Sequence, residues 1–172
     1  MDILYENVID FLKTKEIEIP FGKSDAFMIA KDPIKVVEDK VKDKELKLFL
    51  TNSLNQLNKV SDPKLLPDVI KTIKRYSQAL KDEYNKKIAD IFVAIVEKSY
   101  ELYTSKDWNV ISGQLLAKST QQKRIEPFLK ITTMIAADAA GAAIGAIIGA
   151  NPGTTVGAAV TVSTLAKELL IK

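Results

Sequence analysis

Between Ile131 and Ala166 the chain carries a single charged residue, Asp138, in a run made of Ala, Gly, Ile, Val, Met, Leu, Thr and Ser with one Asn and one Pro. A carboxylate in such a setting has two readings. It is a proton-dependent switch, since an ion in apolar surroundings is costly, or it is a residue that caps a helix or reaches water near the mouth of a buried one. The glycines around it are patterned. Gly141, Gly145, Gly149, Gly153 and Gly157, five of the seven in the chain, stand four residues apart. That step returns to nearly the same helix face and makes a groove that another backbone can approach closely, in lipid or in water. Asp138 falls about 60° from Gly141 on an ideal helix, so it faces the same partner as the ladder.

Little other chemistry is spelled out. The chain has no Cys and no His, which removes disulfides, thiolate nucleophiles, the side chain that titrates nearest neutrality and the commonest transition-metal ligand. No HExxH, P-loop, GxGxxG or GxSxG motif occurs, so neither an enzyme nor a metal or cofactor is expected. The formal charge of +3 comes from 25 basic and 22 acidic residues. Apart from Lys167, Lys172, Asp138 and Glu168, all of them precede residue 131. Their signs are interspersed rather than gathered in a basic stripe, which argues against a nucleic-acid partner. The N-terminus, Met-Asp-Ile-Leu-Tyr-Glu, lacks the basic and long apolar regions of a secretory signal. Synthesis in the cytosol is expected, with delivery to, or insertion into, a membrane afterwards.

The elements that hold these residues read as helical throughout. Asp2 caps a first amphipathic helix carrying Ile3, Leu4, Val8, Ile9, Phe11 and Leu12, and Lys15 to Lys23 forms an extended connection. Asp32-Pro33 and Asp62-Pro63 are helix starts, a cap followed by proline at the first helical position, and Pro67 delays or kinks the second. From Asp68 the apolar steps Val69, Ile73, Tyr76, Leu80, Tyr84, Ile88, Ile91 and Ile95 predict one long helix to about Leu102, its stripe and Tyr100 facing the core. Asp107 opens a segment with Trp108, Val110, Ile111, Leu115 and Leu116 on its apolar side, and Pro127 opens the next. Asn151-Pro152-Gly153 predicts a turn. The result is an all-α domain, a single bundle of about five to seven helices. Residues 1–130 form its charged amphipathic body, and residues 131–172 form an apolar hairpin.

Twenty residues from Ile131 to Ala150 are long enough to cross a bilayer. Each Ile favours insertion by roughly 0.3–0.6 kcal/mol, while a central Asp opposes it by ~2.5–3.5 kcal/mol, so a constitutive span is marginal. The arm from Thr154 is hydroxyl-rich and weaker still. A hairpin buried in the soluble form that inserts conditionally fits these magnitudes. Folding about Asn151 brings Gly145 opposite Gly157, with Ala150 to Thr154 as the turn. It also sets Asp138 level with Thr164 and within one turn of Lys167, so the carboxylate is expected to take its donor from one of those two.

A charged helical body followed by an Ala/Gly/Ile-rich C-terminal hairpin, here Ile131–Ala150, Asn151-Pro152-Gly153 and Thr154–Ile171, resembles the pore-forming domain of colicins in the order of its features. The resemblance implies a soluble bundle that wraps its hairpin and later permeabilises a bilayer as a toxin or effector domain. The alternative is a soluble interaction module, of immunity or scaffold type, whose hairpin is core or a partner-binding surface. The expected partner is thus a lipid membrane, conditionally, or a protein, and the glycine ladder allows a homo-oligomer.

Overall fold

The computed structural model describes residues 2–17, 19–105, 127–149 and 152–171. They form eight α-helices, which we number α1 (Asp2–Thr14), α2 (Lys23–Lys31), α3 (Pro33–Lys40), α4 (Lys44–Asn58), α5 (Leu66–Gln78), α6 (Glu83–Thr104), α7 (Pro127–Gly149) and α8 (Pro152–Ile171). A single 3-10 turn, Pro63–Leu65, leads into α5. No strand occurs among the described residues, and the fold is all-α.

Aspartates punctuate the body. Asp32, Asp43 and Asp82 each turn a carboxylate back on the opening turn of α3, α4 and α6, accepting from the amides of Lys35 (3.1 Å), Leu46 (2.9 Å) and Asn85 (2.8 Å). Such caps satisfy amides that a helix start leaves without an internal partner. They also explain why eight helices stand where five to seven were expected. The long helix expected from Asp68 to Leu102 is two, because the chain leaves the α5 axis at Ala79–Lys81 and restarts at the Asp82 cap. The break changes the buried register: Tyr76 and Tyr84, expected in the core, are 53% and 52% exposed. Ile73 and Ile88 of the expected stripe are buried, and Ile70, Phe92 and Val96 join them in the interior. A further helix, α2, follows the extended connection and buries Ala26, Ile29 and Ala30. Pro67 sits at the second position of α5, where its missing N–H costs nothing.

The centre of the bundle is α7. It packs most extensively against α8, then α6, and also meets α2, α3 and α4. From Met134 to Ala146 every residue is buried, which is the pattern of a helix covered on all sides rather than one with a wet face. The amphipathic helices turn their apolar faces inward: Leu50, Leu54 and Leu57 from α4, and Phe92 and Val96 from α6, are essentially inaccessible. Phe49 and Phe92 meet edge to face with ring centroids 5.8 Å apart, locking α4 on α6.

Candidate functional site

The site begins with an unusual burial. Asp138, on the central helix, is 5% exposed. Its Oδ2 accepts two hydroxyl hydrogen bonds, from Ser99 Oγ at 2.6 Å and from Tyr103 OH at 2.7 Å. Ser99 and Tyr103 lie four residues apart on α6, one turn above the other on a single face. Tyr103 OH also lies 2.8 Å from Ser163 Oγ on α8. Since the tyrosine proton is directed to the carboxylate, Ser163 donates in that pair. A chain of hydroxyls therefore runs from α8 through α6 to the carboxylate of α7. Asp138 Oδ1 is buried without a hydrogen-bond partner among the described residues.

This arrangement corrects the expected pairing. Thr164 does not reach Asp138; its hydroxyl donates to the Val160 carbonyl of its own helix at 2.8 Å, on the exposed side. The second arm does contribute, through the adjacent Ser163, but indirectly. The Lys167 side chain lies outside the described residues. The partners that sequence reasoning missed are on α6. Their signal is the Ser99/Tyr103 spacing of four, which the apolar stripe with Tyr100 masks; Tyr100 is half-buried, whereas Tyr103 is 2% exposed.

Burial pushes the Asp138 carboxyl up from its usual 3.8 to about 6, with the hydroxyls of Ser99, Tyr103 and Ser163 pulling the other way. Its partner Tyr103 is raised as well, by burial first and then by the nearby carboxylate, and so stays a donor. The sign matters. Asp138 binds its proton more tightly in the closed bundle than in water, so its contribution to stability is fully present below pH 3.8 and is lost as pH rises through about 6. The gap corresponds to about 3 kcal/mol. Protonation tightens this bundle and ionisation strains it.

Around the carboxylate the two arms meet closely. A Cβ added at Gly141 would lie 3.0 Å from Val162 Cβ and Cγ2 and 3.1 Å from the Ala158 carbonyl oxygen. With only two residues between Gly149 and Pro152, that contact makes the arms antiparallel. The missing side chain is what admits α8. Gly145 and Gly157 are buried and Gly149 is half-buried. Pro152 and Gly153, expected in the turn, are already helical, Pro152 being the first residue of α8, while Ala150 and Asn151 lie outside the described residues. Proline's fixed φ and missing N–H suit a first helical position. The expected segment from Asp107, with Trp108, also lies outside the description.

Among the described residues one helix, Ile131–Gly149 within α7, is long and apolar enough to cross a membrane; α8 offers the shorter apolar stretch Thr155–Ala166. Two hydroxyls of α8 are satisfied within the helix, Thr161 donating to the Gly157 carbonyl and Thr164 to the Val160 carbonyl, each at 2.8 Å. No group of three or more acidic side chains close enough to hold a metal ion occurs among the described residues. The fold and the site thus define an all-α bundle built around an apolar helix, buried from Met134 to Ala146, with one hydroxyl-ringed carboxylate. No family model, curated protein or solved structure matches the chain.

Proposed function

We propose that this protein is a membrane-active domain of toxin or effector type, a water-soluble bundle that carries α7 and α8 as a sheathed hairpin and releases them into a bilayer. The observation that supports it is the covering of α7. A helix of membrane-crossing length is packed among the other helices of the bundle, and the one ionisable group of its Ile131–Gly149 stretch, Asp138, is pushed by burial up to about 6. Lipid penalises the Asp138 charge more than the hydroxyl-ringed bundle does, so transfer from bundle to lipid takes up a proton and is favoured by acid. Once in the bilayer, a face carrying Gly141, Gly145 and Gly149 suits helix–helix contact, including with further copies of the chain. In the closed form Gly141 is occupied by α8, so oligomers through that position follow opening and do not precede it.

The second reading, a soluble interaction module, draws on a different feature. Ile148, Val156 and Val160 are 49%, 47% and 38% exposed near the hairpin tip and along the outer side of α8, a ridge that a protein partner would cover. The two readings part on lipid. Dye-loaded vesicles of phosphatidylcholine and phosphatidylglycerol should leak on addition of the protein, more as pH falls from 7.5 to 4.5. Asp138→Asn should leak more than the wild type at pH 7.5. Inertness of both proteins at every pH would reject the membrane reading and leave the interaction module.

A further inference from the structure

Tyr103 occupies the last turn of α6, and its hydroxyl is bonded on one side to α7 and on the other to α8. We propose that Tyr103 is the latch of the hairpin, an autoinhibitory contact through which the body holds both arms in the bundle and whose withdrawal lets them leave. The inference rests on the membrane reading for its purpose, but the latch itself is a property of the bundle in water.

Three observations carry it. The first is placement: α6 ends at Thr104, where Ser105 caps it by donating to the Leu102 carbonyl at 2.7 Å. Terminal turns open at the lowest free energy in a helix, so Tyr103 can be withdrawn without unfolding the rest of α6. The second is that the contact is charge-assisted and buried, the kind of hydrogen bond that is about twice as strong as a neutral one. The third is that Asp138 Oδ1 has no described hydrogen-bond partner, so loss of Tyr103 removes one of the two hydrogen bonds that Oδ2 accepts. An under-satisfied buried ion drives opening toward water.

The setting fixes the pH dependence. Facing Asp138 from α6 is one titratable group, Tyr103. The charged residues beside it on that helix are engaged outside, Glu97 with Lys74 of α5 at 2.8 Å and Lys98 with Glu101 at 2.7 Å. From α8 the group in contact is Ser163, and the side chains of Lys167 and Glu168 lie outside the described residues. The helices α2, α3 and α4 turn Ile29, Val37, Leu50 and Leu54 inward and keep charges such as the Lys40–Asp25 pair at the surface. The closed bundle is therefore most stable with Asp138 protonated, the Tyr103 tie matters most once Asp138 is ionised, and opening in water becomes easier as pH rises through about 6. Insertion into lipid follows the opposite trend, so release and insertion are separate steps with opposite proton requirements.

The test is amide hydrogen exchange of the full chain in lipid-free water, corrected for the intrinsic pH dependence. Tyr103→Phe keeps the ring and removes the hydroxyl that bonds Asp138 and Ser163. It should raise exchange in α7 and α8 about tenfold at pH 7.5 and less than threefold at pH 5, with α4 and α5 unchanged. In an Asp138→Asn background the effect of Tyr103→Phe should no longer depend on pH. A uniform rise across all helices, no rise in α7, or a pH-independent effect in the wild-type background would overturn the latch. Should Tyr103→Phe fail to fold, Ser163→Ala removes only the α8 tie and should raise exchange about threefold in α8; no rise there overturns the proposal equally. The two ideas fail separately. Leakage by wild type at the same rate as by Tyr103→Phe refutes the latch and keeps the membrane reading. Opening in water without leakage from any variant refutes the membrane reading and keeps the latch.

Discussion

The two arms of the hairpin look alike in composition, both rich in Ala and Gly and nearly free of charge, yet they occupy opposite positions. In α7 the run from Met134 to Ala146 is buried without interruption, whereas α8 buries Ala158, Val162 and Leu165 and leaves Val156 and Val160 half in water. Polar groups are handled differently too. Those of α8 that face its own backbone, Thr161 and Thr164, are satisfied locally. Asp138 of α7 has no such recourse and depends on side chains from α6. One arm is thus the core of the domain and its point of strain, and the other is a cover that closes on it. An apolar helix in a sequence does not by itself say which of these it is; the number of helices around it does.

The largest expected effect breaks the symmetry between the arms outright. Ile135→Ala, at a fully buried site on α7, should destabilise the bundle by about 2–5 kcal/mol through lost burial and the cavity left behind. Val156→Ala on α8 should change stability by less than about 0.5 kcal/mol, as exposed substitutions do. Denaturant titration of both variants measures the contrast, and equal losses would mean that the arms are equally enclosed.

Next in size is the proton dependence of the carboxylate. The stability of the wild type relative to Asp138→Asn should fall by up to about 3 kcal/mol as pH rises from 4 to 8, with most of the change between about pH 4 and pH 6. Urea midpoints of the two proteins across that range test this, and a constant difference would place Asp138 in water. The smallest effect sharpens the corrected pairing. Thr164→Val should alter stability by no more than about 0.5 kcal/mol and leave the pH profile untouched, since its hydroxyl serves Val160 and not Asp138. A shifted profile in that variant would restore the Thr164 pairing.

The helical class, the hairpin's place at the C-terminus and the starts at Asp32-Pro33 and Pro127 were legible in the chain because they are local. A cap needs only the three residues after it, and an amphipathic stripe needs only its own spacing. Asp138 stood out for a similar reason, as the sole charge in a long apolar run. Its partners were not legible. The register rule about Asn151 compares only the two arms, and the donors came from α6, 39 and 35 residues earlier in sequence. The break at Ala79–Asp82 escaped because apolar spacing continues across it, although Asp82 carried the signal of a second cap.

By itself, then, the sequence determined that this is an all-α protein with an apolar, glycine-stepped C-terminal region and one carboxylate inside it, because composition and spacing of three and four are properties of the chain. The tertiary structure decided which arm lies at the centre, that Gly141 is filled by Val162 and Ala158, and that Ser99, Tyr103 and Ser163 converge on Asp138. Burial and hydrogen bonding between helices depend on which faces meet, and that is set by the packing of the whole bundle rather than by any one segment.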